Sequence, residues 1–130
     1  MKVLVLGAGE VGYHIALRLS REGNAVTVVD KDPARLKLVA DAMDVATIEG
    51  KASLPSVLER AGAADAELLI AATTNDEVNM LACQVAHSLF RVPMKIARIR
   101  ELEYLNERLI GRDDLPIDRV ISPESEAAQA

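Results

Sequence analysis

Three glycines with the spacing G-x-G-x-x-G are the residues of this chain whose types and positions most clearly predict chemistry. Gly7, Gly9 and Gly12 follow an apolar run from Val3 to Leu6 and begin a segment with helical periodicity. In such a turn the first glycine permits a tight bend, the second lets a pyrophosphate approach the backbone, and the third lets the helix pack closely on the strand. Backbone N–H groups at a helix N-terminus bind phosphate. We therefore predict phosphate contacts at Gly7, Ala8, Gly9, Glu10 and Val11.

An acid follows the second apolar run. Asp30 stands directly after Ala25 to Val29, where a Rossmann unit places the carboxylate that binds the adenosine ribose hydroxyls. This acid disfavours a 2′-phosphate, so the pattern predicts NAD rather than NADP. Lys31 and Asp32 are placed to flank the adenine, and Asp32 is equally suited to cap the next helix. The turn from Gly50 to Ser53 is either a second wall for adenine or a simple turn with an N-cap.

Two threonines and an arginine follow later apolar runs, at the same edge of the predicted sheet. Thr73 and Thr74 offer hydroxyl and N–H groups to the middle or distal half of a dinucleotide. The alternative is that they only cap the next helix, because Thr74 and Glu77 have capping-box spacing. Arg98 lies near the end of the fifth run, where its guanidinium reaches toward phosphate. A solvated position is expected for Arg100.

Composition and length argue against several classes of function. The chain has 130 residues, one cysteine and a formal net charge of −5, and no basic cluster stands out along it. We therefore expect no nucleic-acid partner, no internal disulfide and no metal site. His14, His87 and Cys83 fall on predicted helices as surface or packing residues, not as catalytic groups. A dehydrogenase also needs a second domain for its substrate, so the chain is predicted not to be an enzyme.

Apolar runs alternate with helical periodicity along the chain, which is typical of an α/β fold. We predict a Rossmann-like, doubly wound, mostly parallel six-stranded sheet with helices on both faces and strand order 3-2-1-4-5-6. Residues 1–123 are expected to form one nucleotide-binding domain, and 124–130 the start of a crossover helix or a truncated linker. The fourth helix is expected to bury Val78, Leu81, Ala82, Val85 and Leu89, and a fifth, from Glu101 to Ile110, to bury Leu102, Leu105 and Leu109.

Several further stretches carry a family resemblance. They are Lys2 to Gly12, Thr27 to Asp30, Asn79 to Ala86, Ile96 to Arg100 with Tyr104, Pro116 to Asp118, and Ile121 to Glu124. With these segments the chain resembles the N-terminal RCK domains, also called KTN or TrkA-N, of the peripheral regulatory subunits of bacterial potassium uptake systems. The resemblance runs from Met1 to about Glu124. The glycine motif is shared with many dehydrogenases, whereas the later stretches are specific to this family.

The resemblance implies a cytosolic regulatory domain that gates a membrane potassium uptake system by ligand-dependent conformational change. The implied ligands are NAD or NADH, with ATP or ADP as the alternative. The implied partners are a membrane potassium-translocating subunit and further copies of the chain, which form dimers that assemble into a ring at the inner face of the cell membrane. Two other readings stay open, namely a dinucleotide-binding fragment of an NAD-dependent oxidoreductase and a scaffold that responds to no nucleotide. The implied ligand contacts are Gly7, Ala8, Gly9, Glu10, Val11, Asp30, Thr73, Thr74 and Arg98.

Overall fold

A six-stranded sheet runs through the computed structural model, which describes residues 1–111 and 114–122. Its order is β3-β2-β1-β4-β5-β6, and every neighbouring pair is parallel. This confirms the predicted Rossmann-like architecture and strand order. The strands are β1 (Lys2–Leu6), β2 (Ala25–Asp30), β3 (Ala46–Glu49), β4 (Leu68–Ala71), β5 (Met94–Arg98) and β6 (Arg119–Ile121).

Helices cover both faces of the sheet, as predicted. Helices α1 and α2 pack on one face, and α3 and α4 pack on the other. No helix within the described ranges is long and apolar enough to cross a membrane. The predicted segment 124–130 lies outside the described residues. The α-helices are α1 (Glu10–Arg21), α2 (Pro33–Ala42), α3 (Pro55–Arg60) and α4 (Asp76–Phe90), and short 3₁₀ helices cover Ala63–Asp65 and Leu102–Tyr104.

The central strand β1 shows why the sheet needs an unbroken apolar sequence. Val3 and Val5 contact the core on the side of α1 and α2, whereas Leu4 and Leu6 contact the core on the side of α3 and α4. All four side chains are fully buried because both faces of the strand are covered. The succession of strands changes direction at β1, which lies between β2 and β4. A crevice for a ligand therefore opens at the carboxyl ends of these strands.

The face that α4 buries differs from the predicted one. The predicted core residues Leu81 and Leu89 are 52% and 60% exposed. The buried face consists instead of small side chains, which let the helix approach the sheet closely, and of polar side chains that are hydrogen-bonded. The prediction is confirmed for Ala82, which is buried, and for Val78 and Val85, which pack against the core. It was wrong for Leu81 and Leu89 because leucine spacing says nothing about the buried hydrogen bonds that decide which polar residues turn inward. The buried residues are Asp76, Asn79, Ala82, Cys83 and Ala86.

The predicted fifth helix, Glu101 to Ile110, is absent from this described segment. Only Leu102–Tyr104 forms a 3₁₀ turn, and Leu102 and Leu109 do not enter the core. The side chain of Asn106 accepts a hydrogen bond from the Arg108 N–H at 2.8 Å. Such a local side-chain bond competes with helix formation, which explains why leucine periodicity alone misled the prediction.

Two predicted helix caps are also wrong. Helix α3 begins after Leu54 without a side-chain cap, and the predicted cap Ser53 is buried instead. Helix α4 begins after Asn75, whose side chain accepts a hydrogen bond from the Val78 N–H at 2.9 Å. The cap is therefore one residue later than predicted, and the predicted capping box does not form because Val78, not Glu77, stands three residues after the cap. Asn is as good an N-cap as Thr or better, so type alone did not separate the two positions.

Candidate functional site

A crevice of about 520 Å³ lies at the carboxyl ends of the central strands. Its volume falls within the range of roughly 300–1,000 Å³ that is common for small-molecule sites. The predicted second wall, Gly50 to Ser53, lines it as far as Ala52, whereas Ser53 and Ala8 do not line it. The predicted contacts that the structure brings to the crevice are Gly7, Gly9, Glu10, Val11, Asp30, Thr73, Thr74 and Arg98.

The three glycines of the β1–α1 turn have different physical reasons for lacking a side chain. Gly7 has φ +102°, and a Cβ there would lie 2.8 Å from the Ala72 carbonyl oxygen. A Cβ on Gly12 would lie 1.8 Å from the Gly7 carbonyl oxygen, so no side chain fits. A Cβ on Gly9 would meet only the Arg35 guanidinium, at 3.6 Å. The protein itself thus leaves open space beside Gly9, on the crevice, where a ligand can approach the backbone.

The backbone N–H groups of this turn divide into two sets. The Gly7 N–H donates to the Val29 carbonyl, and the Ala8 N–H donates to the Asp30 carboxylate, each at 2.7 Å. These two groups hold the turn against β2 and are not available to phosphate. Within the described residues, the N–H groups of Gly9, Glu10 and Val11 have no hydrogen-bond partner. They belong to the first turn of α1, where such donors and the helix dipole favour an anion.

Asp30 is buried at the end of β2 and faces the crevice. One carboxylate oxygen accepts the Ala8 N–H, and the other accepts the Asp32 N–H at 2.8 Å. Each oxygen keeps a further lone pair, so the carboxylate is oriented by the backbone while it retains capacity for ligand hydroxyls. Asp32 itself caps α2 by accepting the Ala34 N–H at 2.9 Å, which confirms the capping alternative for that residue.

Arg35 lines the crevice but was not predicted from the sequence. It lies in the first part of α2, and its guanidinium Nε is 3.8 Å from an Asp32 carboxylate oxygen. Both side chains are about half exposed, so this ion pair is weak. The signal that could have found Arg35 is its place shortly after Asp30 at the start of a helix that begins at the same edge of the sheet.

The opposite wall consists of the β4–α4 turn and the segment after β5. The Thr73 hydroxyl donates to the Asn79 side-chain oxygen at 2.6 Å. Arg100 is exposed, as expected, and it also lines the crevice, where its guanidinium donates to the Thr74 carbonyl at 2.6 Å. The alternation of side chains along a strand could not predict this contact, because Arg100 lies after β5 has ended. The wall is therefore built from more residues than the sequence indicated.

The crevice carries more positive than negative charge, although the whole chain has a formal net charge of −5. Its two acidic lining residues are Glu10 and Asp30. The excess of cations favours an anionic ligand. The basic lining residues are Lys31, Arg35, Lys51, Arg98 and Arg100.

The residues considered for catalysis lie elsewhere. His14 is exposed and contacts the Tyr13 ring edge-on, and neither His87 nor Cys83 lines the crevice. Burial raises the pKa of the Cys83 thiol from 9.0 to about 12, so the nucleophilic thiolate is disfavoured. Among residues 1–111 and 114–122, no group of three or more His, Cys, Asp and Glu side chains could hold a metal ion.

Sequence relatives cover almost all of the chain. It is 52% identical, over 132 aligned positions, to the Trk system potassium uptake protein TrkA of Azorhizobium caulinodans, with 99% of this chain and 29% of that protein covered. It is 52% identical over 125 positions to the protein of the same name from Halomonas elongata, with 95% and 27% covered. The chain therefore spans less than a third of the length of these curated relatives.

Solved structures share the fold at lower identity. The TrkA-N domain of the inner membrane protein ybaL from Escherichia coli has a TM-score of 0.80 at 21% identity, covering 98% of this chain and 90% of that one. An AMP-bound Kef CTD from Shewanella denitrificans has a TM-score of 0.77 at 22% identity, covering 98% and 75%. The GsuK channel bound to NAD has a TM-score of 0.75 at 21% identity, covering 92% and 21%. At these identities the likeness shows the fold alone.

The family assignment rests on the whole span and not on the glycine turn alone. The family described as TrkA-N domain matches residues 3–123, which include both walls of the crevice. This match agrees with the strand order, with the position of Asp30 and with the sequence relatives. The chain belongs to the TrkA-N domain family.

Proposed function

We propose that the chain is the nucleotide-binding regulatory domain of a bacterial potassium uptake system. The observation that carries the proposal is that the N–H groups of Gly9, Glu10 and Val11, beside the open space at Gly9, have no partner among the described residues. The cationic crevice around them favours a phosphate-bearing ligand. The names of the sequence relatives, both Trk system potassium uptake proteins, support the biological setting.

The proposed ligand is NAD or NADH, with ATP or ADP as the alternative. Asp30 would accept the adenosine ribose hydroxyls, and the first turn of α1 would bind the phosphates. Thr73, Thr74 and Arg98 would contact the part of the ligand beyond the adenosine. The NAD-bound GsuK channel and the AMP-bound Kef domain support an adenine nucleotide in this fold. In this role the ligand is a regulatory signal, which the chain binds and does not convert chemically.

The proposed mechanism is a switch between two arrangements of an assembly. A ligand shifts such an equilibrium only by binding one arrangement more tightly than the other. The shared adenosine end contacts Asp30 in every ligand, so discrimination belongs to the wall at Thr73, Thr74 and Arg98. We place the assembly, a ring of dimers, at the cytoplasmic face of the membrane, where it would contact a potassium-translocating subunit.

Calorimetric titration of the 130-residue chain with NADH, NAD, ATP and ADP in one buffer tests the proposal. Selective binding of one redox form or one phosphate state is expected. The variant Asp30→Asn should weaken all four ligands together, and Arg98→Gln should change their ranking. Equal affinity for all four would contradict the switch and leave a scaffold. Failure of all four to bind would overturn the nucleotide site itself.

A further inference from the structure

Asn79 is a polar side chain with no solvent exposure, on the crevice end of α4. Its side-chain oxygen accepts from the Thr73 N–H at 3.0 Å and from the Thr73 hydroxyl at 2.6 Å. Its side-chain nitrogen donates to the Thr73 carbonyl at 3.1 Å and to the Arg98 carbonyl at 2.8 Å. An amide side chain accepts two and donates two hydrogen bonds, so Asn79 is fully used by these two residues.

These bonds begin where the pairing of β4 with β5 ends. The last register pair of the two strands is Ala71 with Ala97. Beyond this pair, the Asn79 side chain joins the turn at Thr73 to the end of β5 at Arg98. Asp76, one helical turn earlier on α4, adds a second link by accepting the Arg100 N–H at 3.0 Å. Helix α4 therefore sets the spacing between the two segments that form the distal wall of the crevice.

We infer that Asn79 is a positioning residue for the part of an adenine nucleotide that lies beyond the adenosine and its first phosphate. It acts by holding Thr73 and Arg98 at a fixed separation and does not itself touch the ligand. This inference rests on the proposed function. The proximal contacts, Asp30 and the first turn of α1, make no hydrogen bond to Asn79. Loss of Asn79 therefore weakens distal contacts and leaves the adenosine end intact.

The test compares AMP, which lacks the distal part, with NADH, by calorimetry on the 130-residue chain. In Asn79→Ala we expect NADH affinity to fall about tenfold or more and AMP affinity to change less than about twofold, since a lost buried hydrogen-bond network acts locally. Val92→Ala is the matched control. Val92 is buried in the same core, in the α4–β5 connection, so its loss lowers the melting temperature without touching the crevice.

The outcomes separate a positioning role from a structural one. The inference is supported if Asn79→Ala lowers the affinity for NADH but not for AMP, while Val92→Ala leaves both affinities unchanged. If Asn79→Ala lowers the affinities for AMP and NADH equally, or lowers neither, the inference is overturned. Should Asn79→Ala not fold, NMR of the unaltered chain decides, because the Asn79 side-chain amide signals must shift with NADH and not with AMP. If the unaltered chain binds neither ligand, the proposed function fails, and the inference fails with it.

Discussion

At the scale of single residues, Gly9 and Gly12 separate binding from folding within one motif. A Cβ at Gly12 would collide with the Gly7 backbone, whereas a Cβ at Gly9 would enter open crevice space. We predict that Gly9→Ala weakens NADH binding at least about tenfold but costs about 1 kcal/mol or less of unfolding free energy, the size of a lost N-cap preference. Calorimetry and urea unfolding measure the two effects.

Gly12→Ala is the matched control for this prediction, because it adds the same methyl group two residues into α1. We expect it to lower the unfolding free energy by more than the roughly 1–3 kcal/mol of ordinary overpacking, since the obstacle is backbone. Unchanged NADH affinity in a folded Gly9→Ala variant would show that the ligand does not approach the turn at this position.

The burial of Cys83 makes the unfolding free energy depend on pH in the alkaline range. Burial raises the pKa of its thiol from 9.0 to about 12 in the folded chain. Between these values the unfolded chain releases a proton that the folded chain keeps, so the contribution of this group is complete below pH 9 and declines as pH rises toward 12. Urea unfolding at pH 8 and at pH 10 should therefore show a smaller alkaline loss in Cys83→Ala than in the unaltered chain. Identical losses would show that the thiol is not protected by burial.

The residues that could be predicted from the sequence are those whose type follows from the local course of the backbone. Asp30 and the glycines were found because turn geometry and the end of a strand fix their positions. Arg35 was missed although its ion pair with Asp32 is local. Asn79 and Arg100 were not assigned roles in the crevice because their contacts join segments that are far apart in the chain. Asn79, for example, bonds to Arg98 across 19 positions. Single-sequence patterns carry no signal for such pairings.

At the scale of elements, α4 links the β4–α4 turn to the segment after β5. The Asp76 carboxylate accepts the N–H groups of Arg100 and Glu101, at 3.0 and 2.7 Å. We predict that Asp76→Asn lowers the unfolding free energy by about 1–3 kcal/mol, because an amide NH₂ cannot accept these bonds. Hydrogen exchange at the Arg100 and Glu101 amides should accelerate in the variant.

The neighbouring residue supplies the control for this link. Glu77 is exposed in the same first turn of α4, so Glu77→Gln should change the unfolding free energy by less than about 0.5 kcal/mol. If Asp76→Asn and Glu77→Gln had equal effects, helix-dipole interactions and not the link to β5 would explain the stabilisation.

Strands were more predictable than the later helical segments. The central strands β1, β2 and β4 are buried on both faces, so their sequences are mainly apolar. The predicted runs from Val3 to Leu6 and from Ala25 to Val29 end within one residue of β1 and β2. The segment after β5 behaves differently because Asn106 diverts its backbone into a turn. The buried face of α4 differs from the predicted one because the side chains of Asp76 and Asn79 turn inward and form hydrogen bonds with neighbouring segments. In both cases polar hydrogen bonds override apolar periodicity.

At the scale of the whole molecule, the distribution of charge predicts the salt dependence of binding. The crevice is cationic within a chain of net charge −5, so local attraction and long-range repulsion oppose each other. We predict that local attraction dominates, and that affinity falls as salt rises from 50 to about 500 mM, more for ATP than for NADH. Adenosine, which has no charge, is the control and should be unaffected. Tighter ATP binding at high salt would mean that the net charge dominates.

The central claim is that an adenine nucleotide binds across the crevice at the point where the strand succession changes direction. Backbone amide NMR of the 130-residue chain, titrated with NADH, tests it most directly. We expect the largest shifts at Gly9, Glu10 and Val11, with further shifts at Asp30 and Thr73. Shifts confined to the groove at His87 and Lys95, or no shifts at all, would contradict it.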